Sequence, residues 1–171
     1  SIAPVWDGNE TWLVLGGGGL MAAFPLAYAI ILPALYAPLI AMLLGLILCG
    51  VAFEFRWRDP AHRVVWDVAF SGGSVLATFA QSVTLGALWQ GISVPGRAYS
   101  GGWWEWLSAF SILVGVALLV GYALLGACWL IWKTDGRLQE TAFTLARPLA
   151  IATVLGIAAM SLATPFLEAK Y

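Results

Sequence analysis

The chain has 171 residues, 61% of them apolar and 10% charged, with a formal net charge of -1. An ordinary soluble domain carries about 25% charged and about 45–50% apolar residues, so a water-soluble fold could not hide this much apolar surface. The eight Lys and Arg are scattered and form no run, which sets nucleic-acid binding aside.

Taken in order there are five apolar runs, the first two nearly continuous and the later ones separated by polar stretches. They predict an all-α fold: a polytopic transmembrane helix bundle of about five spans within a single membrane domain covering residues 1–171. The spans are expected at 11–31, 33–53, 64–89, 106–132 and 142–166, each long enough at about 1.5 Å per residue to cross a hydrocarbon core of about 30 Å. Between the second and third runs lie Glu54, Arg56, Arg58, Asp59, His62 and Arg63. The stretch 90–105, rich in Gly, Ser and Pro, reads as an aqueous loop, and 133–140 as a polar turn. Pro148 and Pro165 fall near the ends of the last run, where proline is tolerated.

Lys and Arg concentrate in alternate connections. Arg56, Arg58 and Arg63 precede the third run, and Lys133, Arg137 and Arg147 surround the start of the fifth, whereas 90–105 holds only Arg97. The positive-inside rule places the first two groups in the cytoplasm, with the Ser1 end cytoplasmic and the Tyr171 end outside. All ten tryptophans fall near segment ends, as expected of rings that prefer the headgroup region. The chain starts with Ser1 and shows no signal peptide, so a piece of a longer polypeptide is expected.

Several chemistries find no support. Gly16 to Gly19 lack the strand, Lys and Ser/Thr of a phosphate-binding loop and read as a helix-packing face, as do Gly72, Gly73, Gly115 and Gly126. Cys49 and Cys128 sit in apolar runs without a CxxC partner and read as small fillers. His62, the one histidine, lies between arginines in a loop, whereas a membrane-buried haem needs its ligand inside a helix. Met21, Met42 and Met160 have no histidine to pair with, so no metal or redox centre is assigned to this chain.

The carboxylates are more informative. Asp7 and Glu10 stand in Trp6-Asp7-Gly8-Asn9-Glu10-Thr11-Trp12, before the first run. One reading is helix capping; the other is a carboxylate at the membrane edge that takes protons from the cytoplasm and passes them inward. Glu54 ends the second run, with an ion pair to Arg56 or Arg58 as its structural reading. Asp67, one turn from Arg63, reads as a salt-bridged interface residue. An antiparallel hairpin of the first two helices would bring Asp7 and Glu54 together at a proton entrance.

The stretch from Ser1 to Leu13, with its Trp-Asp-Gly-Asn element, resembles subunit II of cytochrome bd-type quinol oxidases. The likeness continues through Gly17-Gly18-Gly19-Leu20, Ala22-Ala23-Phe24-Pro25, Phe53-Glu54-Phe55-Arg56, Trp66-Asp67, Gln90-Gly91 and Lys133-Thr134, and is strongest to the cyanide-insensitive branch. The resemblance implies a non-haem subunit of a bacterial inner-membrane quinol:oxygen oxidoreductase. It would partner a haem-bearing subunit I, with quinol and dioxygen as substrates of the complex; the haems would belong to that partner, and some members also hold a quinone in this subunit. It assigns the proton path to Asp7 and Glu54, with Trp6, Asn9, Glu10, Trp12, Arg56 and Asp67 in support. Family subunits are about twice as long; several carry Arg where Cys49 stands and His where Val5 stands. Two rival readings are a membrane transporter with a site among its helices and a purely structural membrane subunit.

Overall fold

The computed structural model describes residues 3–94, 96 and 98–168, with the side chains at 3–7, 9, 10 and 168 outside that description. The described residues form six α-helices and no strand: α1 (Ala3–Ala23), α2 (Pro25–Ala34), α3 (Tyr36–Arg58), α4 (Arg63–Gln90), α5 (Ala109–Lys133) and α6 (Arg137–Glu168). A 3₁₀ turn, Pro60–His62, joins α3 to α4. The all-α class expected from the apolar runs holds.

Among the described residues, four segments are long and apolar enough to cross a membrane: Tyr36–Arg58, Pro60–Gln90, Ala109–Lys133 and Arg137–Leu167. The expected first span, 11–31, is divided instead. Proline explains both breaks. A Pro ring in a continuous helix collides with the carbonyl four residues back, and the residue before it is driven out of the helical region. Pro25 accordingly leaves Phe24 at φ -134°, ψ 63°. Pro38, in the first turn of α3, sits opposite the carbonyl of Ala34, and the chain breaks between them at Leu35 (φ -115°, ψ 20°). The helical hydrogen bonds still run into both breaks, from Phe24 N to Leu20 O and from Leu35 N to Ile31 O. The boundary expected between the first two spans, near residue 32, falls instead at Leu35.

Among the described residues the long helices form a layer, with α3 on α4, α4 on α5 and α5 on α6, and no extensive contact between helices further apart. Small residues make this possible. A Cβ added to Gly73 would lie 2.6 Å from Gly45 O, and one added to Gly45 would lie 2.7 Å from Ala77 N, so α3 and α4 meet backbone to backbone. Gly86 meets Ser111 on α5, Gly115 meets Phe79 on α4, and Gly156 meets Ala117 across α5 and α6. The packing role read for Gly73 and Gly115 is correct. Gly16 to Gly19, Gly72 and Gly126 meet no described side chain or neighbouring helix within 4 Å, which corrects that reading for them within this chain.

Burial is inverted relative to a soluble protein. The buried apolar residues are mostly small, among them Ala52, Ala77, Ala80, Ala87 and Cys49, while Leu125, Val154, Leu155 and Leu162 are exposed. Large side chains turned outward around a seam of small ones fit a lipid solvent, in which close backbone approach drives helix association. α1 joins this layer through Leu13, which packs on Met42, Ala77 and Ala80.

Candidate functional site

The antiparallel layer gathers its polar residues at two ends. At one, α3 ends and α4 begins, and α5 gives way to α6. Asp59 leaves the helix (φ -119°, ψ 79°) because Pro60 follows. The cations in the last turn of α3, Arg56 and Arg58, complement the partial negative charge of the helix C-terminus.

Glu54 is exposed and pairs with Arg58 one turn on, Oε1 to Nη2 at 2.5 Å. Arg56 pairs across to Asp67 on α4, with Nε 2.5 Å from Oδ1 and Nη2 3.4 Å from Oδ2. Of the two partners expected for Glu54 the structure uses Arg58, and Asp67 is bonded to Arg56 rather than to Arg63. The Arg56 guanidinium also lies 5.9 Å from the Trp57 ring. Phe53 meets Phe70 edge-on at 4.9 Å, and Phe55 meets Trp66 at 5.3 Å. A cleft of about 240 Å³ opens between Ala52, Phe53, Arg56, Trp57, Asp67 and Phe70.

Asp59 accepts at 2.9 Å from His62 Nδ1 and at 3.4 Å from Trp66 Nε1. Loss of water contact works against its charged form, but the His62 and Trp66 hydrogen bonds and the His62 charge outweigh it, holding the carboxyl below the ordinary aspartate range. His62 is committed to this surface turn.

Trp12 lies on α1 and is 71% exposed. The side chains of Trp6, Asp7, Asn9 and Glu10 lie outside the described residues. Their backbone does not: α1 is helical from Ala3, so Asp7 and Glu10 stand within a helix rather than at its N-cap, which corrects the capping reading.

The other end carries a network that the sequence reading missed. Glu105 accepts from Ser93 Oγ and from Tyr99 Oη, each at 3.0 Å, and Tyr99 Oη also lies 2.7 Å from Gly102 O. Burial, followed by the Glu105 hydrogen bond and charge, pushes the Tyr99 phenol above its ordinary value. Ser108 caps α5 in a reciprocal box with Ser111 and bonds Gln90 at the end of α4. The one available signal was Ser-x-x-Ser ahead of an apolar run, a weak form of the capping box.

A layer of apolar helices with outward-facing large side chains and tryptophans at both ends defines a polytopic integral membrane protein. The family model described as cytochrome bd terminal oxidase subunit II matches residues 1–170, and the chain belongs to that family. It is 33% identical to a probable cytochrome oxidase subunit 2 of Haemophilus influenzae over 99% of this chain and 46% of that protein. It is 34% identical to a cytochrome bd ubiquinol oxidase subunit 2 of Bacillus subtilis over 94% of this chain and 49% of the relative. The cytochrome bd-I ubiquinol oxidase subunit 2 of Escherichia coli K12 is 32% identical, over 91% and 43%. The chain thus spans about half the length of the curated relatives it matches.

Proposed function

We propose that the chain is part of the non-haem subunit of a respiratory quinol:oxygen oxidoreductase of the cytochrome bd type. There it stabilises a haem-bearing subunit I and contributes a cytoplasmic proton pathway through Asp7 and Glu54. The observation that carries this reading is the family match across residues 1–170. Relatives named ubiquinol oxidases supply the substrate class, with quinol as reductant and dioxygen as terminal acceptor. Reducing dioxygen to water consumes a proton for every electron, so such a complex needs protonatable groups at its water-facing edge.

The geometry supports a role for Glu54 in that supply. It is exposed at the cationic end, and its partner Arg58 is on its own helix, so the carboxylate stays accessible to water. The positive-inside rule puts this end in the cytoplasm of a bacterial inner membrane. Asp7 is assigned by the Trp-Asp-Gly-Asn element, and α1 touches the α3–α4 pair through Leu13. Trp6, Asn9, Glu10 and Trp12 support Asp7, while Arg56 and Asp67 fix α3 to α4 beside Glu54. The haems are assigned to subunit I.

The test uses the complex purified from native membranes. Asp7→Asn and Glu54→Gln should leave assembly and the haem absorption spectrum unchanged. Each should slow oxygen consumption at saturating quinol by about tenfold or more, in line with loss of a positioned proton-transfer group. Wild-type turnover in both variants would refute the pathway, and purification without a haem-absorbing second chain would refute the subunit assignment.

A further inference from the structure

Arg147 is an exposed cation on the apolar helix α6, and no ion pair engages it among the described residues. Its depth follows from the α5–α6 register. Gly121 faces Thr153 and Ile131 faces Gln139, which sets Arg147 level with residues 123–127 of α5. Trp132 and Lys133 lie five to ten residues further along α5, about 8–15 Å away at 1.5 Å per residue. Lys133 Nζ sits 4.1 Å from the Trp132 ring centroid, an aromatic and cation pairing typical of the headgroup level. Arg147 is therefore rooted on the hydrocarbon side of that level.

Its direction resolves the cost. Side chains of a helix lean toward its N-terminus, and the α6 N-terminus is at the cationic end. The Arg147 stem therefore carries its guanidinium back toward the headgroups, as snorkelling arginines do. Below it, Ile151, Val154, Leu155, Ala158 and Leu162 continue the same helical face, and all are exposed. The opposite face, with Thr153 and Gly156, turns toward α5. Glu140 shares the Arg147 face two turns nearer the end but forms no ion pair with it.

We propose that this face of α6 is a phospholipid-binding site, with the lipid phosphate on Arg147 and an acyl chain along Ile151, Val154 and Leu155. Charge complementarity selects the occupant. A guanidinium binds a phosphate in a bidentate fork, the phosphate lies at the depth the side chain reaches, and the apolar stripe starts where the acyl chain starts. A partner helix would instead have to bring a carboxylate to the membrane edge.

The test is native mass spectrometry of the detergent-purified complex titrated with phosphatidylglycerol, with diacylglycerol as the phosphate-free comparison. The wild type should retain phosphatidylglycerol in preference to diacylglycerol. Arg147→Gln should weaken that retention about fivefold or more, the scale of one charge-assisted contact, while Arg147→Lys, which keeps the charge and loses the fork, falls between Arg147→Gln and wild type and Arg63→Gln keeps all of it. Equal retention by Arg147→Gln and wild type overturns the site, as does an equal loss in Arg147→Lys and Arg147→Gln. Loss of the partner subunit from Arg147→Gln with unchanged lipid would assign this face to protein and overturn it as well.

Discussion

Arg56 and Arg58 are two positions apart, and a helix turns such neighbours to different sides. Arg58 falls one turn from Glu54 and takes it, whereas Arg56 is left to reach Asp67 on α4. Both members of the interhelical pair are about half exposed, at 41% and 52%. Water therefore screens the attraction, and the coupling should be small. A double-mutant cycle with Arg56→Gln and Asp67→Asn, read by thermal unfolding in detergent, checks this; a coupling of several kcal/mol would mean that the pair is dry in the assembled protein. Asp59 gives the pH dependence its sign. Its folded carboxyl is held below the ordinary aspartate value by His62 and Trp66. Its contribution is thus complete above that ordinary value and is lost as pH falls through the depressed one. Acid scans of thermal stability from about pH 5 to below 3 should show a loss that Asp59→Asn reduces.

At the scale of helices, the glycines divide into two kinds that composition does not distinguish. Gly73 has no room for a Cβ against Gly45 O, so Gly73→Val should destabilise by about 1–3 kcal/mol through overpacking. Gly17 meets no neighbouring element within 4 Å, and Gly17→Ala should fall within about 1 kcal/mol of wild type on the stabilising side. Thermal unfolding of the two variants tests the contrast, and a large loss at Gly17 would place another chain against α1. Apolar run length made α3, α4, α5 and α6 legible in the sequence, because about twenty apolar residues in a row have few other uses. Pro25 and Pro38 were equally visible, but whether a proline ends, kinks or merely starts a helix depends on which carbonyl it meets. The start of α6 at Arg137 was missed because Gln139, Glu140 and Thr141 are polar, although they continue the helix into the water-facing region. Glu54 stood out as a carboxylate at the edge of an apolar run. Its choice of Arg58, and that of Asp67 for Arg56, is a matter of helical phase and interhelical register, which charge spacing alone does not encode.

For the whole molecule, the layered order of α3 to α6 fixes which connections share a side of the membrane. The turn Asp59–His62 and the turn around Asp135 lie at one end of the antiparallel layer, and the segment containing Ser93 and Tyr99 lies at the other. Packing confirms the second group: Tyr36 at the start of α3 meets Trp103 at a ring distance of 6.1 Å, and Leu167 near the end of α6 lines a cavity with Ser93 and Ser108. Arg56, Arg58, Arg63, Lys133 and Arg137 all belong to the first end, so the proposed orientation has that end facing the cytoplasm. Single cysteines introduced into the full protein test that direction in intact cells with a membrane-impermeant maleimide. Ser93→Cys should be labelled from outside, and Asp135→Cys only after the membrane is opened. The native thiols should contribute little background, since Cys49 is buried against α4 and Cys128 is on a membrane-crossing face of α5, away from the water a thiolate needs. Labelling of Asp135→Cys in closed cells would invert the layer, place Glu54 on the outer side, and remove the cytoplasmic proton path with it.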